Sequence, residues 1–152
     1  AAGGGGPLAF YGIFDGHGGT AAAHYISKHL IANITSDPAF VDDPAAAMRD
    51  AFHRTDRDFH AAMEAGESSG STALVVCVRG AEVLVANAGD CRAVLSRRGK
   101  AIDLSTDQRP SCSTEMARIE AAGGFVEDGY INGQLGVSRA FGDFHVEGLK
   151  GR

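Results

Sequence analysis

The chain has 152 residues, with 14 basic and 19 acidic side chains and a formal net charge of −5. That length suits a single domain of roughly 100–200 residues, and 44% hydrophobic with 22% charged residues excludes a disordered chain. No basic cluster points to nucleic acid, no apolar run nears the ~18 residues of a membrane span, and residues 1–7 lack the charged and apolar regions of a secretory signal.

The chain opens with Gly3–Gly6 and Pro7, which read as a flexible lead-in or a loop cut short. Leu8 to Phe14 (LAFYGIF) is an aromatic-rich apolar run that predicts a buried strand, stopping at Asp15-Gly16-His17-Gly18-Gly19. Ala22, Ile26, Leu30 and Ile34 recur every four residues and predict a helix from about Thr20 to Asn33. Asp43 before Pro44 is a helix start, because Asp accepts orphan amide hydrogens and Pro at the first position loses nothing. Met48, Phe52, Thr55, Phe59 and Met63 line the inner side of this second helix, which should end near Gly66.

Ser71–Val78 (STALVVCV) and Glu82–Ala88 (EVLVANA) are nearly continuous apolar runs. Such runs predict strands buried on both faces, hence a sheet covered on both sides. Arg92–Leu95 and Lys100–Leu104 flank a hairpin turn at Ser96–Gly99. A third helix, from about Ser113 to Ala122, should stop at Gly123-Gly124. Phe125-Val126 and Tyr130-Ile131 surround an Asp128-Gly129 turn, Asn132-Gly133 is another turn, and Leu135–Arg152 has no clear period. Helices, a meander of strands and a further helix predict an α+β layered domain with antiparallel sheet.

Three cysteines, Cys77, Cys91 and Cys112, form no CxxC spacing. They argue against a disulfide framework or a zinc ribbon and suit a reducing compartment. Cys77 falls inside an apolar strand and reads as core.

The chemistry concentrates at strand ends. At Asp15-Gly16-His17 an apolar strand delivers a carboxylate, followed by backbone that can approach a ligand closely. Asp is a hard oxygen donor suited to Mg²⁺ or Mn²⁺, and a His two positions later can act as acid or base near neutral pH. The same string also serves as a tight strand-to-helix turn with Asp15 as cap and His17 exposed. Ala88-Gly89-Asp90 again leads from a strand through Gly to Asp, and equally suits an Asx-stabilised hairpin turn. Arg139 and Asp143, in Gly136–Asp143, suit a surface turn with an Arg–Asp pair worth ~0–1 kcal/mol. His53, Asp56 and His60 lie at i, i+3 and i+7 on the second helix, a spacing that could hold zinc, although on its solvated face.

FYGIFDGHGG (Phe10–Gly19), SSGSTALVV (Ser68–Val76), VANAGDCRAVL (Val85–Leu95), RIEAAGGFV (Arg118–Val126) and NGQLGVSRAFGD (Asn132–Asp143) occur in one order over most of the chain. This set resembles the metal-dependent protein serine/threonine phosphatases of the 2C type, plant members above all. The resemblance implies a four-layer α-β-β-α sandwich with two antiparallel sheets, partial in this chain. It implies two Mg²⁺ or Mn²⁺ ions, with Asp15 as bridging carboxylate, the Gly16 carbonyl as a second ligand and Asp90 linked to a third, weaker metal. His17 matches the general acid for the departing serine or threonine oxygen, and Arg139 and Asp143 match a structural motif. The family pattern also includes an upstream Arg with acidic residues and downstream Asp-Gly and Asp-Asn motifs, which these 152 residues do not contain. The expectation is therefore a single truncated domain, 1–152, with little or no activity alone. Its implied partners are phosphoproteins, kinases among them, and it should be monomeric and cytoplasmic or nuclear. A pseudophosphatase that keeps the fold and binds a partner is the alternative.

Overall fold

The computed structural model describes residues 7–150; the Gly3–Gly6 lead-in lies outside the described residues. Strand β1 (Leu8–Ile13) is followed by a two-residue strand β2 (Gly16–His17), helix α1 (Ala21–Thr35), a 3₁₀ turn (Pro38–Phe40) and helix α2 (Pro44–Ala62). Strands β3 (Gly70–Ser71), β4 (Ala73–Arg79), β5 (Glu82–Ala88), β6 (Val94–Arg97) and β7 (Lys100–Asp103) come next. Helix α3 (Ser113–Ala121) and the short strands β8 (Val126–Glu127), β9 (Tyr130–Ile131) and β10 (Phe141–Gly142) complete the chain.

The main sheet is antiparallel, in the order β1-β4-β5. Its register places Phe10 opposite Cys77 and Cys77 opposite Leu84, and Gly12 opposite Val75 and Val75 opposite Ala86. Side chains alternate across a strand, so these positions share one face, and α1 and α2 cover it. Ala22, Ile26, Leu30 and Ile34 of α1 are fully buried, as the four-residue spacing predicts. From α2, Ala47, Met48, Ala51, Thr55 and Phe59 point inward. Asp43 caps α2 by accepting the Ala46 N–H at 3.0 Å, and Pro44 takes the first helical position. Cys77 is fully buried in this core, and burial raises its thiol pKa.

The opposite face of the sheet corrects the expectation of cover on both sides. Tyr11 is 64% exposed, Ile13 55% and Val83 49%, so among the described residues this face is open. An unbroken apolar run reports that both faces are greasy; it does not report that both are covered within the same stretch of chain.

The expected Ser71–Val78 strand is divided at Thr72. Residues Gly70–Ser71 leave the main sheet and form the middle of a second small sheet, ordered β10-β3-β2. Two hairpins, β6-β7 and β8-β9, turn at Arg98-Gly99 and Asp128-Gly129. All four turn residues have positive φ, the conformation of tight two-residue hairpins. Ile119, Ile131, Val146 and Leu149 build a second, smaller core between α3 and the C-terminal segment. Helices segregated on one face of an antiparallel sheet make the architecture α+β. No helix among the described residues is long and apolar enough to cross a membrane.

Candidate active site

Thr72, the residue that divides the strand, also fixes Asp15. Its N–H donates to the Asp15 carbonyl at 3.0 Å, and its hydroxyl accepts the Asp15 N–H at 3.3 Å. With both peptide groups held, the Asp15 carboxylate is delivered at the end of β1, where it is exposed to a cleft of about 610 Å³. Gly16, His17, Asp90 and Asp143 line the same cleft.

Asp90 reaches the cleft because Gly89 packs against Thr72. Gly89 has φ +117°, and a Cβ there would lie 2.5 Å from Thr72 Cγ2. Only glycine permits both the backbone angle and the approach. The Gly89 N–H donates to Gln108 Oε1 at 2.8 Å, and the Asn87 amide donates to the Gly89 carbonyl at 2.9 Å, so the bend is pinned from both sides. Asp90 pairs with Arg109 at 3.1 Å. Arg109 is 54% exposed, so the pair is worth little.

His17 is held from across the small sheet. Gly16 and His17 pair with Ser71 and Gly70, which pair on their other side with Phe141 and Gly142. This aligns His17 with Asp143, and His17 Nε2 lies 2.6 Å from Asp143 Oδ2. Asp143 is 3% exposed, whereas the His17 side chain keeps 32% of its surface. The hydrogen bond to Asp143 raises the His17 pKa above 6.5; partial burial opposes this, while the negative charges of Asp143, Asp15 and Asp90 add to the rise.

One expectation is corrected here. Arg139 and Asp143 do not form a surface pair. Arg139 instead donates to Glu115 at 2.8 and 3.0 Å, and Arg118 joins Glu115 at 3.2 Å. Arg118 also donates to the carbonyls of Ser138 and Leu149, tying α3 to the C-terminal segment. Burial pushes the Glu115 carboxyl up, but hydrogen bonding to Arg139 and the charges of both arginines outweigh it and hold the group down at about 2. Asp143, the other member of that expected pair, lines the cleft beside His17. Its pairing with a residue 126 positions away leaves no local signal; a buried acid after the apolar Phe141-Gly142 is the only hint the sequence offers.

The His53, Asp56 and His60 spacing does not make a metal site. Asp56 accepts from the Gly142 N–H at 2.9 Å and from Lys150 at 2.8 Å, while His60 stacks on Phe144 with ring centroids 4.1 Å apart. No group of three or more His, Cys, Asp or Glu side chains gathers as a ligand set among the described residues.

That last observation bears on the cleft too. Asp15, the Gly16 carbonyl and Asp90 offer hard oxygen donors, the kind that Mg²⁺ or Mn²⁺ takes. They fit such ions in kind, and they are fewer than a closed two-ion site requires.

The family model for protein phosphatase 2C matches residues 3–150. The chain belongs to the protein phosphatase 2C family. A probable protein phosphatase 2C 57 of Oryza sativa subsp. japonica is 54% identical over 147 residues, 95% of this chain and 40% of that protein. A probable protein phosphatase 2C 27 of Arabidopsis thaliana is 51% identical over 143 residues, 94% of this chain and 38% of that protein. The chain thus spans about two fifths of the length of these curated relatives. Among solved structures, a serine-threonine phosphatase 2C from Toxoplasma gondii shares the fold with a TM-score of 0.77 at 21% identity, over 90% of this chain and 58% of that one. A sex determining protein of C. elegans aligns with a TM-score of 0.75 at 28% identity, over 91% of this chain and 36% of that one.

Proposed function

We propose that this chain carries part of the catalytic apparatus of a protein serine/threonine phosphatase acting on phosphoserine and phosphothreonine. The observation that carries the reading is the convergence of Asp15, Gly16, His17 and Asp90 on one cleft, with His17 anchored by a buried carboxylate. In this reading Asp15 and the Gly16 carbonyl would hold Mg²⁺ or Mn²⁺, and Asp90 would hold a third, weaker ion. Bound divalent ions supply two things: acidification of a water and neutralisation of phosphoryl oxygens.

The chain's own residues do the rest. Thr72 fixes the Asp15 peptide, which sets where the carboxylate leaves the end of β1. His17 is partly open to the cleft and its pKa is raised by the hydrogen bond to Asp143, so in this reading it hands a proton to the departing serine or threonine oxygen. That oxygen is a poor leaving group, and a positioned acid is worth about 10²–10⁴-fold in rate. No side-chain nucleophile is required, and buried Cys77 stays passive. With few carboxylates at the cleft, the 152 residues alone should turn over slowly or not at all. Phosphoproteins, kinases among them, are the proposed partners, acting with a monomer. The three free cysteines favour a reducing cytosol or nucleus.

A second reading is a pseudophosphatase that binds a partner without chemistry. Calorimetric titration with Mn²⁺, in parallel with a phosphoserine-peptide assay, separates the two. The phosphatase reading expects Mn²⁺ binding that weakens at least about tenfold, or ~1.4 kcal/mol, in Asp15→Asn. Absent binding, or binding indifferent to Asp15→Asn, supports the scaffold.

A further inference from the structure

A second cavity, of about 740 Å³, lies between α2 and the free edge of β5. It shares no lining residue with the Asp15 cleft. Met48 and Phe52 of α2, Leu84 and Ala86 of β5, and Phe141 and Leu149 give it an apolar lining. Five other lining side chains are Arg or Lys, against one acid, Asp56. In a chain of net charge −5 this is a local reversal of sign. Lys150 is paired with Asp56, and Arg118 and Arg139 share Glu115. Arg49 and Arg57 are different. Both are exposed, they stand about two turns apart on α2, and neither makes an ion pair among the described residues.

The outer main-chain groups of β5 are met only at one end. The Gln108 N–H donates to the Gly89 carbonyl at 3.0 Å, and Gln108 Oε1 accepts the Gly89 N–H at 2.8 Å. Gln108 Nε2 donates to the Asn87 carbonyl at 3.3 Å. Main-chain groups two residues apart on an antiparallel strand point the same way. The N–H and C=O groups of Val85 and Val83 therefore point outward like those of Asn87, and no strand among the described residues pairs with them. The devices that normally protect an edge are missing here. EVLVANA holds no Pro or Lys, and its single charge, Glu82, is tied to Arg79 at 3.0 Å.

We propose that this groove takes an extended, acidic segment of a partner protein, which joins the main sheet as a strand beside β5. Main-chain hydrogen bonds to Val83 and Val85 supply affinity, and alternate side chains supply selectivity. On the side facing α2, apolar residues of the segment meet Met48, Phe52 and Ala86. Acidic residues at its ends reach Arg49 and Arg57, which repel a basic segment. Charge decides the occupant. A second copy pairing through its own β5 would bring one acid, Glu82, already held by Arg79. The groove does not depend on an ion at the Asp15 cleft.

The test is a titration of the ¹⁵N-labelled 152-residue chain with the peptide acetyl-Asp-Glu-Val-Thr-Val-Glu-Asp-amide at low salt. The control is the same peptide with its acids replaced by lysine. The acidic peptide should give saturable shifts along β5 and Arg49–Arg57. It should also slow hydrogen exchange at the Val83 and Val85 amides, as strand addition requires. The lysine peptide should not bind. Arg49→Glu combined with Arg57→Glu should weaken the acidic peptide at least about tenfold. No saturable binding below about 1 mM, equal binding of the lysine peptide, or shifts without slowed exchange at Val83 and Val85 overturns the proposal. So does protection of these amides in the free chain that grows with protein concentration, which would make the occupant a second copy. If the double variant does not fold, the wild type with the two peptides decides. Mn²⁺ plays no part in the readout, so failure here leaves the phosphatase reading standing.

Discussion

Two places in the molecule bring histidine and aspartate together, and they differ in how. On α2, His53, Asp56 and His60 follow a helical spacing that any sequence scan would find. At the cleft, His17 and Asp143 are 126 residues apart and meet only because β2 and β10 flank β3. The regular set proves structural: Asp56 fastens Lys150 and the Gly142 N–H, and His60 stacks on Phe144. The irregular set meets at the cleft. Shared spacing on one helix says which residues face the same way, whereas pairing between distant strands decides which groups reach a common cleft.

The sharpest way to break this contrast is Gly70→Ala. One added carbon meets Asp143 and His17 well inside contact distance, so the pair must separate or the small sheet must shift. Overpacking of this kind should cost about 3 kcal/mol, read as a lowered urea midpoint. An unchanged midpoint would mean that the convergence over Gly70 is loose.

Next in size is the acid response of Glu115. Its folded-state pKa of about 2 lies below the ordinary 4.5. The stabilisation is therefore complete above about pH 4.5 and is lost as pH falls through about 2. The full difference is on the order of 3 kcal/mol. Urea unfolding at a series of acidic pH values should show this slope, and Glu115→Gln should flatten it.

The smallest effects belong to α2. Asp56→Ala strands Lys150 and the Gly142 N–H, and should cost about 1–2 kcal/mol in thermal or urea unfolding. His53→Ala touches an exposed side chain and should stay within about 0.5 kcal/mol. Neither should alter Mn²⁺ affinity; if either did, the helical set would have to be counted as part of a site.

Much of the frame was legible because it is encoded locally. Ala22, Ile26, Leu30 and Ile34 announce a helix and its buried face, Asp43-Pro44 its neighbour's start, and the apolar runs their strands. Asp15 and Asp90 were legible for the same reason: each follows an apolar strand and adjoins glycine. What depends on distant pairing was not. Nothing near Asp143 names His17, and nothing near Arg139 names Glu115 in preference to an acid four residues away. Thr72 looked like one more strand residue, yet it is where the chain leaves one sheet for another and grips Asp15. The open face of β1 and β5 escaped notice because apolar composition records what a face can bury, not what covers it.

The central claim is that the Asp15 end of the sheet, and not the α2 surface, is where divalent ions bind. Titrating Mn²⁺ into the ¹⁵N-labelled chain tests it residue by residue, since the paramagnetic ion broadens nearby amide signals first. The account predicts early loss at Asp15–Gly18 and Gly89–Cys91, with the α2 signals unaffected. Broadening that begins at His53–His60, or spreads with no focus at the cleft, would contradict it.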